Sequence, residues 1–172
     1  GALNLMVTVA QMLGKDDDAE LYRLTAEKLK KAYFKTFYNP ETGVLAGWKS
    51  RDGKLHDYYF LMVNSMAVFY NLVPEEKIKD LMTVLWNKMQ EVGYKDFTLG
   101  VPGNLISVRK EDYTDHNSRF GYCEKEEGSD AFQRYENGGA SINWTYFVLK
   151  AFKKAGLEEE LKQITKGILS GI

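Results

Sequence analysis

Apolar and polar positions along the chain recur with the period of an α-helix, and the helices that they predict come in three pairs. In each pair, a helix that is apolar on nearly every side precedes an amphipathic helix. The pairs cover about residues 2–37, 58–92 and 140–169. This order predicts three hairpins, each with a buried inner helix and a half-exposed outer helix.

Residues at the ends of the predicted helices fit their positions. Asp16, Asp17 and Asp18 open the second helix, where the helix dipole favours negative charge. Pro74 suits the first position of the fourth helix, and Gly93 suits its C-terminal cap. We therefore expect one helical domain over residues 1–172.

Two long connections, residues 38–57 and 94–137, separate the predicted hairpins. Solenoid repeats have short connections and a fixed period, so the long connections favour a closed ring of hairpins. The turn sequence Arg51-Asp52-Gly53-Lys54 predicts a short β-hairpin around Trp48. The expected fold class is all-α, with three inner/outer helical hairpins forming part of an (α/α) toroid. Long loops, with short β-hairpins, are expected on one rim.

The unusual residues of the chain lie in these loops, close to the starts of the predicted inner helices. If the inner helices all start at the same rim, these residues surround one cavity that suits a sugar. Aromatic faces pack on C–H surfaces, amides bind hydroxyl groups, and carboxylates act as general acid and base. The candidate catalytic residues are Asp57 and Glu136, and the candidate substrate-binding residues are Trp48, His56, Asn104, Tyr135 and Asn137.

Charge and composition narrow the classes of partner. The 23 basic and 24 acidic residues give a formal net charge of -1, so no basic patch for nucleic acid or an anionic membrane is expected. The most apolar run, residues 58–73, is shorter than the roughly 20 residues of a membrane-spanning helix. One cysteine and two histidines are too few for a thiolate cluster or a histidine-rich metal site. We expect a neutral partner, no metal and no cofactor, and the compartment stays open.

The order of these segments resembles the six-hairpin, (α/α)6 toroid glycosidases. The turn Tyr135-Glu136-Asn137-Gly138-Gly139 precedes an inner helix and is similar to turns in the clan of processing α-glucosidases, trehalases and neutral invertases. The resemblance implies a glycoside hydrolase that binds carbohydrate and uses carboxylate acid/base chemistry. It also implies that the chain is a fragment of the toroid, so that the true general acid and base can lie outside it.

Other interpretations of the same residues stay open. Asp57 is also suited to an N-cap, and Glu136 to a favourable anion at a helix start. A helical-repeat module that binds a peptide is an alternative function, although no 34-residue period is present. A glycoside phosphorylase on the same scaffold is a further alternative. We also expect the chain to associate, either with a second copy or with the remainder of the toroid, because its inner helices are apolar on every side.

Overall fold

A computed structural model of the protein describes residues 1–112, 123–134 and 137–171. Six α-helices lie within these ranges: α1 (Ala2–Met12), α2 (Asp16–Phe37), α3 (Leu61–Phe69), α4 (Glu75–Glu91), α5 (Thr145–Lys154) and α6 (Glu158–Ser170). They follow one another as three consecutive pairs, so the predicted helical hairpins are confirmed. None of these helices is both long and apolar enough to cross a lipid bilayer.

Short antiparallel strand pairs lie in the connections between the hairpins, as expected for the long loops, so the all-α fold class is confirmed only in part: the chain has mixed helix and strand content. The strands are β1 (Tyr38–Asn39) with β2 (Val44–Leu45), β3 (Trp48–Lys49) with β4 (Leu55–His56), and β5 (Val101–Pro102) with β6 (Ala140–Ser141). Buried backbone N–H and C=O groups need partners, and these loops run beside the core. The short ladders supply those partners. The predicted β-hairpin around Trp48 is formed by β3 and β4.

The first and third hairpins turn through a glycine in the left-handed region. Gly14 and Gly156 have φ of +66° and +70°, a backbone conformation that residues with a side chain rarely adopt. At each turn, the next N–H bonds back into the preceding helix, from Lys15 to the Ala10 carbonyl and from Leu157 to the Phe152 carbonyl. This pattern is the Schellman motif, and it leads directly into the acidic first turn of the following helix.

Helix α3 is shorter than the predicted helix over residues 58–73. It begins at Leu61 because Tyr59 adopts a left-handed φ of +52° and the Phe60 backbone pairs with Asn104. It ends at Phe69, and Asn71, with φ of +58°, then forms the left-handed turn that glycine forms elsewhere. Asparagine tolerates this conformation better than most residues.

The sequence pattern predicted that the fifth helix begins at Ala140. Helix α5 instead begins at Thr145. The backbone of residues 140–141 is paired with β5, so it cannot also form helical hydrogen bonds. Gly100, just before β5, comes so close to the partner strand that a Cβ atom would lie 2.3 Å from the Ser141 carbonyl oxygen. This pairing ties the second long loop to the start of the third hairpin.

The core lies between the second and third hairpins. Its fully buried large side chains come from α3, α4, α5, α6 and the loops, and include Leu61, Ile78, Leu81, Met82, Leu85, Met89, Phe97, Leu105, Phe152 and Ile164. One buried polar residue, Asn64, exchanges two hydrogen bonds with the Leu45 backbone and so joins α3 to β2. The core thus holds the start of α3 and the β1–β4 loop in fixed relation.

Helix α1 is not buried, in contrast to the prediction for the first inner helix. Of its residues, all of which are described, Ala10 alone is buried, while Leu5 and Met12 are 69% and 81% exposed. The physical reason is that α1 packs mainly on α2, whose own contact with the core runs through aromatic residues at its C-terminal end. The apolar pattern of α1 therefore indicates a surface that needs a partner.

We expect the 172-residue chain to associate with a second copy through the apolar surface of α1. Leu5, Val9 and Met12 lie on one helical stripe and are all exposed. Sedimentation velocity at tens of micromolar should show dimers or larger species, and Leu5→Glu with Met12→Glu should shift the protein to monomer. Leu99→Glu, at an equally exposed apolar residue outside the helices, should have no such effect. A wild-type chain that stays monomeric at high concentration would contradict this expectation.

Candidate functional site

The segment that enters α3 from the β3–β4 hairpin places its side chains alternately on two sides. Along His56-Asp57-Tyr58-Tyr59-Phe60, the rings of His56, Tyr58 and Phe60 all contact the indole of Trp48. Asp57 faces the opposite side, toward the β1–β2 turn, and Tyr59 lies beneath the Lys88 ammonium group. Extended backbone has this two-residue period, and the segment keeps the alternation although Tyr59 has a left-handed φ of +52°. One side of the segment is therefore an aromatic cluster, and the other side is attached to neighbouring elements.

Trp48 is the centre of this aromatic cluster. Its indole stacks on the His56 imidazole with ring centroids 4.7 Å apart and planes 8° from parallel. The Phe60 ring lies 5.9 Å away at a tilt of 53°. Gly47 allows this approach, because a Cβ atom there would lie 2.5 Å from the Phe60 ring. The indole is therefore held in one orientation.

A cavity of about 210 Å³ opens beside Trp48, at the starts of α3 and α5. Its lining residues are mostly aromatic or apolar: Gly47, Trp48, Phe60, Met62, Val63, Gly103 and Trp144. The Trp144 Nε1–H donates a hydrogen bond of 3.1 Å to the Val101 carbonyl, which fixes the second indole. The cavity is smaller than the ~300–1,000 Å³ of pockets for drug-sized ligands, so it suits a single small ring. We call it the tryptophan pocket.

Behind Trp48, His56 lies in a polar cluster with Asp112, which belongs to the 3-10 turn Lys110–Asp112. The His56 Nδ1 atom is 2.8 Å from Asp112 Oδ2, although the approach is out of line with the N–H direction of a good hydrogen bond. We regard it as a close polar contact between the imidazole and the carboxylate. The Tyr58 hydroxyl also donates to Asp112 Oδ2, and the Ser50 hydroxyl is hydrogen-bonded to His56 Nε2. Both His56 and Asp112 are buried at their side chains.

The electrostatics of this cluster favour a charged Asp112 and a neutral Tyr58. Burial by itself disfavours the carboxylate, but the contacts from Tyr58 and His56 outweigh it and lower the pKa of Asp112. Burial, followed by the hydrogen bond to Asp112, raises the pKa of Tyr58 far above its usual value. The cluster is therefore a carboxylate that accepts a hydrogen bond from Tyr58 and lies in close contact with the His56 imidazole.

The stability contributed by Asp112 should depend on pH. Because its pKa is lower in the folded state than the ordinary 3.8, its contribution is present above pH 3.8 and is lost as pH falls through the folded-state pKa. We expect Asp112→Asn to lower the free energy of unfolding by about 1–2 kcal/mol near neutral pH. Urea denaturation of both proteins from pH 7 to pH 3 should show this difference shrinking at the acid end. A difference that is constant with pH would contradict the assignment.

Asp57 lies apart from the aromatic cluster. Its carboxylate accepts hydrogen bonds from the Thr42 hydroxyl, from Asn39 Nδ2 at 3.4 Å and from the Tyr59 backbone N–H at 3.0 Å. It is not the N-cap of α3, because that position belongs to Phe60. The carboxylate instead joins the β1–β2 turn to the chain that enters α3.

Asn104 and Asn137 meet in a buried amide pair. Asn104 Nδ2 donates to Asn137 Oδ1 at 3.0 Å and to the Ile106 carbonyl at 2.7 Å, and the Gly138 N–H donates to Asn104 Oδ1 at 2.7 Å. Asn137 Oδ1 also accepts from the Val108 N–H at 3.2 Å. This pair fastens the second long loop to the turn before β6, so both amides are engaged with the protein itself.

The structure thus brings some of the predicted site residues together and separates others. Trp48 contacts His56, Asn104 contacts Asn137, and the backbone pairing of Phe60 with Asn104 connects the two groups. Asp57 faces away from Trp48. Tyr135 and Glu136 lie outside the described residues, so their roles stay predictions.

Sequence reasoning missed several residues of this region. Phe60 and Trp144 were not among the predicted site residues, although both line the tryptophan pocket. A signal was available for Phe60, because alternation along 56–60 places it on the same side as His56. Asp112 had no local signal, since it lies 54 positions after Tyr58 in the sequence.

A comparison with protein families agrees with the helical hairpins of this chain. The family model described as the bacterial alpha-L-rhamnosidase 6 hairpin glycosidase domain matches residues 1–108. The chain belongs to this family. The resemblance to six-hairpin glycosidases is therefore confirmed. No curated protein and no solved structure matches the chain. The residues matched by the family model include Trp48, His56 and Asn104. Asp112, Asn137 and Trp144 lie after the end of the matched range.

Proposed function

We propose that this domain acts in the hydrolysis of glycosidic bonds and holds a sugar ring in the tryptophan pocket. The observation that carries the proposal is the pair of fixed indoles, Trp48 and Trp144, on a small cavity at the rim where α3 and α5 begin. Sugar rings present C–H surfaces that pack on aromatic faces. Membership of a glycosidase family gives carbohydrate as the expected ligand class.

The three hairpins are, in this proposal, part of an (α/α)6 toroid. The family description names six hairpins, and three pairs of helices lie in the described residues. The exposed apolar surface of α1 supports a neighbouring hairpin on that side. The tryptophan pocket would then lie on one wall of the central cavity of the toroid.

The chemistry that we propose is proton transfer by carboxylates. One carboxylic acid protonates the leaving oxygen. The second group, a carboxylate, either activates the water that attacks the anomeric carbon or attacks that carbon directly as a nucleophile. Asp57 and Glu136 are the proposed pair. Asp57 accepts hydrogen bonds from three donors, which hold its carboxylate in one position, and we assign it the role of base or nucleophile.

The first experiment measures sugar binding and aryl-glycoside hydrolysis separately. Because the family is named for alpha-L-rhamnosidases, L-rhamnose and 4-nitrophenyl α-L-rhamnoside are the first probes, followed by a panel of other sugars and aryl glycosides. Hydrolysis without added phosphate supports a hydrolase, and strict dependence on phosphate would indicate a phosphorylase. Binding without hydrolysis is expected if the acid or base lies outside these residues. Neither binding nor hydrolysis with any member of the panel would contradict the proposal.

Trp48→Ala should weaken sugar binding at least about tenfold, equal to roughly 1.4 kcal/mol. The reason is that the substitution removes one aromatic wall of the tryptophan pocket, whereas Trp48→Phe keeps an aromatic face and should lose much less. Calorimetric titration of both variants with the sugar that binds wild type measures the effect. Tyr146→Ala removes an exposed aromatic side chain on α5 and serves as the control. Unchanged sugar affinity in Trp48→Ala would exclude the tryptophan pocket as the sugar-binding site.

A further inference from the structure

Three side chains in the polar cluster behind Trp48 form a linear series: Ser50, His56 and Asp112. We propose that Ser50, His56 and Asp112 form a nucleophile, base and orienting acid that hydrolyse a small acyl ester. This activity is separate from the glycosidase function and does not depend on it. The recurring arrangement for acyl transfer is a serine hydroxyl on one imidazole nitrogen and a carboxylate on the other.

The contacts have the required order. The Ser50 hydroxyl is hydrogen-bonded to His56 Nε2, and His56 Nδ1 lies 2.8 Å from Asp112 Oδ2. With the ring proton on Nδ1, beside the carboxylate, Nε2 is an acceptor that can take the serine proton. The out-of-line approach at Nδ1 does not argue against the role, because such contacts are often poorly aligned before substrate binds.

Burial changes along the series in the direction that this chemistry needs. The Asp112 and His56 side chains are 7% and 5% exposed, which protects the pair from water. Ser50 is partly exposed, because it lies at the end of β3 where the β3–β4 hairpin turns. The Tyr58 hydroxyl holds Asp112, and the Trp48 ring covers one face of His56. The imidazole therefore has one fixed position, with its Nε2 directed at a serine that solvent can reach.

A donor for the developing negative charge is present next to Ser50. In the turn, the Ser50 N–H donates to the Lys54 carbonyl and the Gly53 N–H donates to the Ser50 carbonyl. In the part of the chain that the structure describes, the Arg51 N–H makes no hydrogen bond, and Arg51 is exposed. The N–H of the residue after the nucleophile commonly contributes to an oxyanion hole. Arg51 N–H is thus the available donor.

The reaction balances with water as the only co-reactant. Ser50 Oγ bonds to the acyl carbon while His56 Nε2 takes its proton, and the C–O bond to the alcohol then breaks as His56 returns that proton to the leaving oxygen. Water next attacks the acyl-serine and gives a proton to His56, which passes it to Ser50 Oγ as the acid departs. Acetyl and other short acyl esters are the expected class, because the site is a small surface turn.

The test treats the whole chain with an alkyl fluorophosphonate and maps the modified residue by peptide mass spectrometry. We expect phosphonylation at Ser50, slowed at least about 100-fold in His56→Gln, because general base catalysis contributes about 10²–10⁴-fold. Ser107→Ala removes a serine whose hydroxyl donates to the Glu127 carbonyl, and should label as wild type does. Steady-state hydrolysis of 4-nitrophenyl acetate should fall by a similar factor in Ser50→Ala, while that variant still unfolds cooperatively, with at most the modest loss of stability that follows from removing the hydrogen bond to His56.

The mapping decides the matter even if a variant folds poorly, since it is done on the wild-type chain. Phosphonylation spread over several lysines and tyrosines, or no labelling at all, would overturn the triad. In that case the three side chains only hold Trp48 in place. Sugar binding is measured without the ester, so failure of the triad leaves the glycosidase proposal intact.

Discussion

Asn104→Asp is expected to lower the free energy of unfolding by about 3–5 kcal/mol, the cost typical of a broken buried charge or polar network. Asn104 is fully buried, and its Nδ2 donates to both the Asn137 Oδ1 and the Ile106 carbonyl. Aspartate has no donor there when ionised, so a buried negative charge would face two acceptor oxygens. Asn137 cannot rotate its amide to compensate without losing the hydrogen bond from the Val108 N–H.

Urea denaturation followed by circular dichroism measures this effect. Asn143→Asp makes the same chemical change at an exposed asparagine before α5, and should alter stability by no more than about 0.5 kcal/mol. Lowering the pH should partly restore the free energy of unfolding of the Asn104→Asp variant, because a protonated carboxyl regains one donor. A loss below about 1 kcal/mol at neutral pH would mean that the amide pair does not fasten the loop as the structure indicates.

Glu136→Gln is expected to reduce glycoside hydrolysis by about 10²–10⁴-fold in a protein that shows this activity, the range for loss of a general acid or base. Glutamine keeps the size and polarity of glutamate but cannot exchange a proton. Asp57→Asn is expected to reduce hydrolysis in the same range if Asp57 is the partner carboxylate. Initial rates with the aryl glycoside that wild type hydrolyses, together with thermal unfolding of each variant, give the two readouts.

Thr42→Val separates a chemical role of Asp57 from a structural one. Thr42 donates to the Asp57 carboxylate but has no acid/base chemistry of its own. If Asp57 only joins the β1–β2 turn to the entry of α3, then Thr42→Val and Asp57→Asn should lose similar stability and similar activity.

The corresponding test for Glu136 uses stability and binding together. If Glu136→Gln loses stability and keeps full sugar affinity and turnover, Glu136 is structural and the acid and base must be sought elsewhere.

Local signals predicted most of the helical architecture. The acidic first turns of α2 and α6 and the glycines at 14, 93 and 156 act within a few residues, so they are visible in the sequence. The same holds for the β3–β4 hairpin, whose turn residues lie between its strands. These elements form where their sequences indicate because no distant contact competes with them.

Contacts between distant segments decided what could not be predicted. Ala140 has an apolar helical pattern after it, yet its backbone pairs with Pro102, and this pairing delays α5 until Thr145. The two sides of the 56–60 segment also depend on distant partners, which place Asp57 on Thr42 and His56 on Asp112. The sequence alone could place Asp57 and Trp48 only around the same cavity, and it did not indicate that the carboxylate behind Trp48 is Asp112.

The most direct test of the central claim uses the three tryptophans as internal probes. Trp48 and Trp144 line the tryptophan pocket, whereas Trp86 lies on α4 and stacks on Phe97. Proton–nitrogen correlation spectra of the indole groups, assigned by single Trp→Phe substitutions, are recorded during titration with L-rhamnose and the sugar panel. We expect the sugar that binds to shift the Trp48 and Trp144 signals with one common dissociation constant and to leave the Trp86 signal unchanged. A sugar whose binding saturates but shifts only the Trp86 signal, or shifts no tryptophan signal, would contradict this expectation.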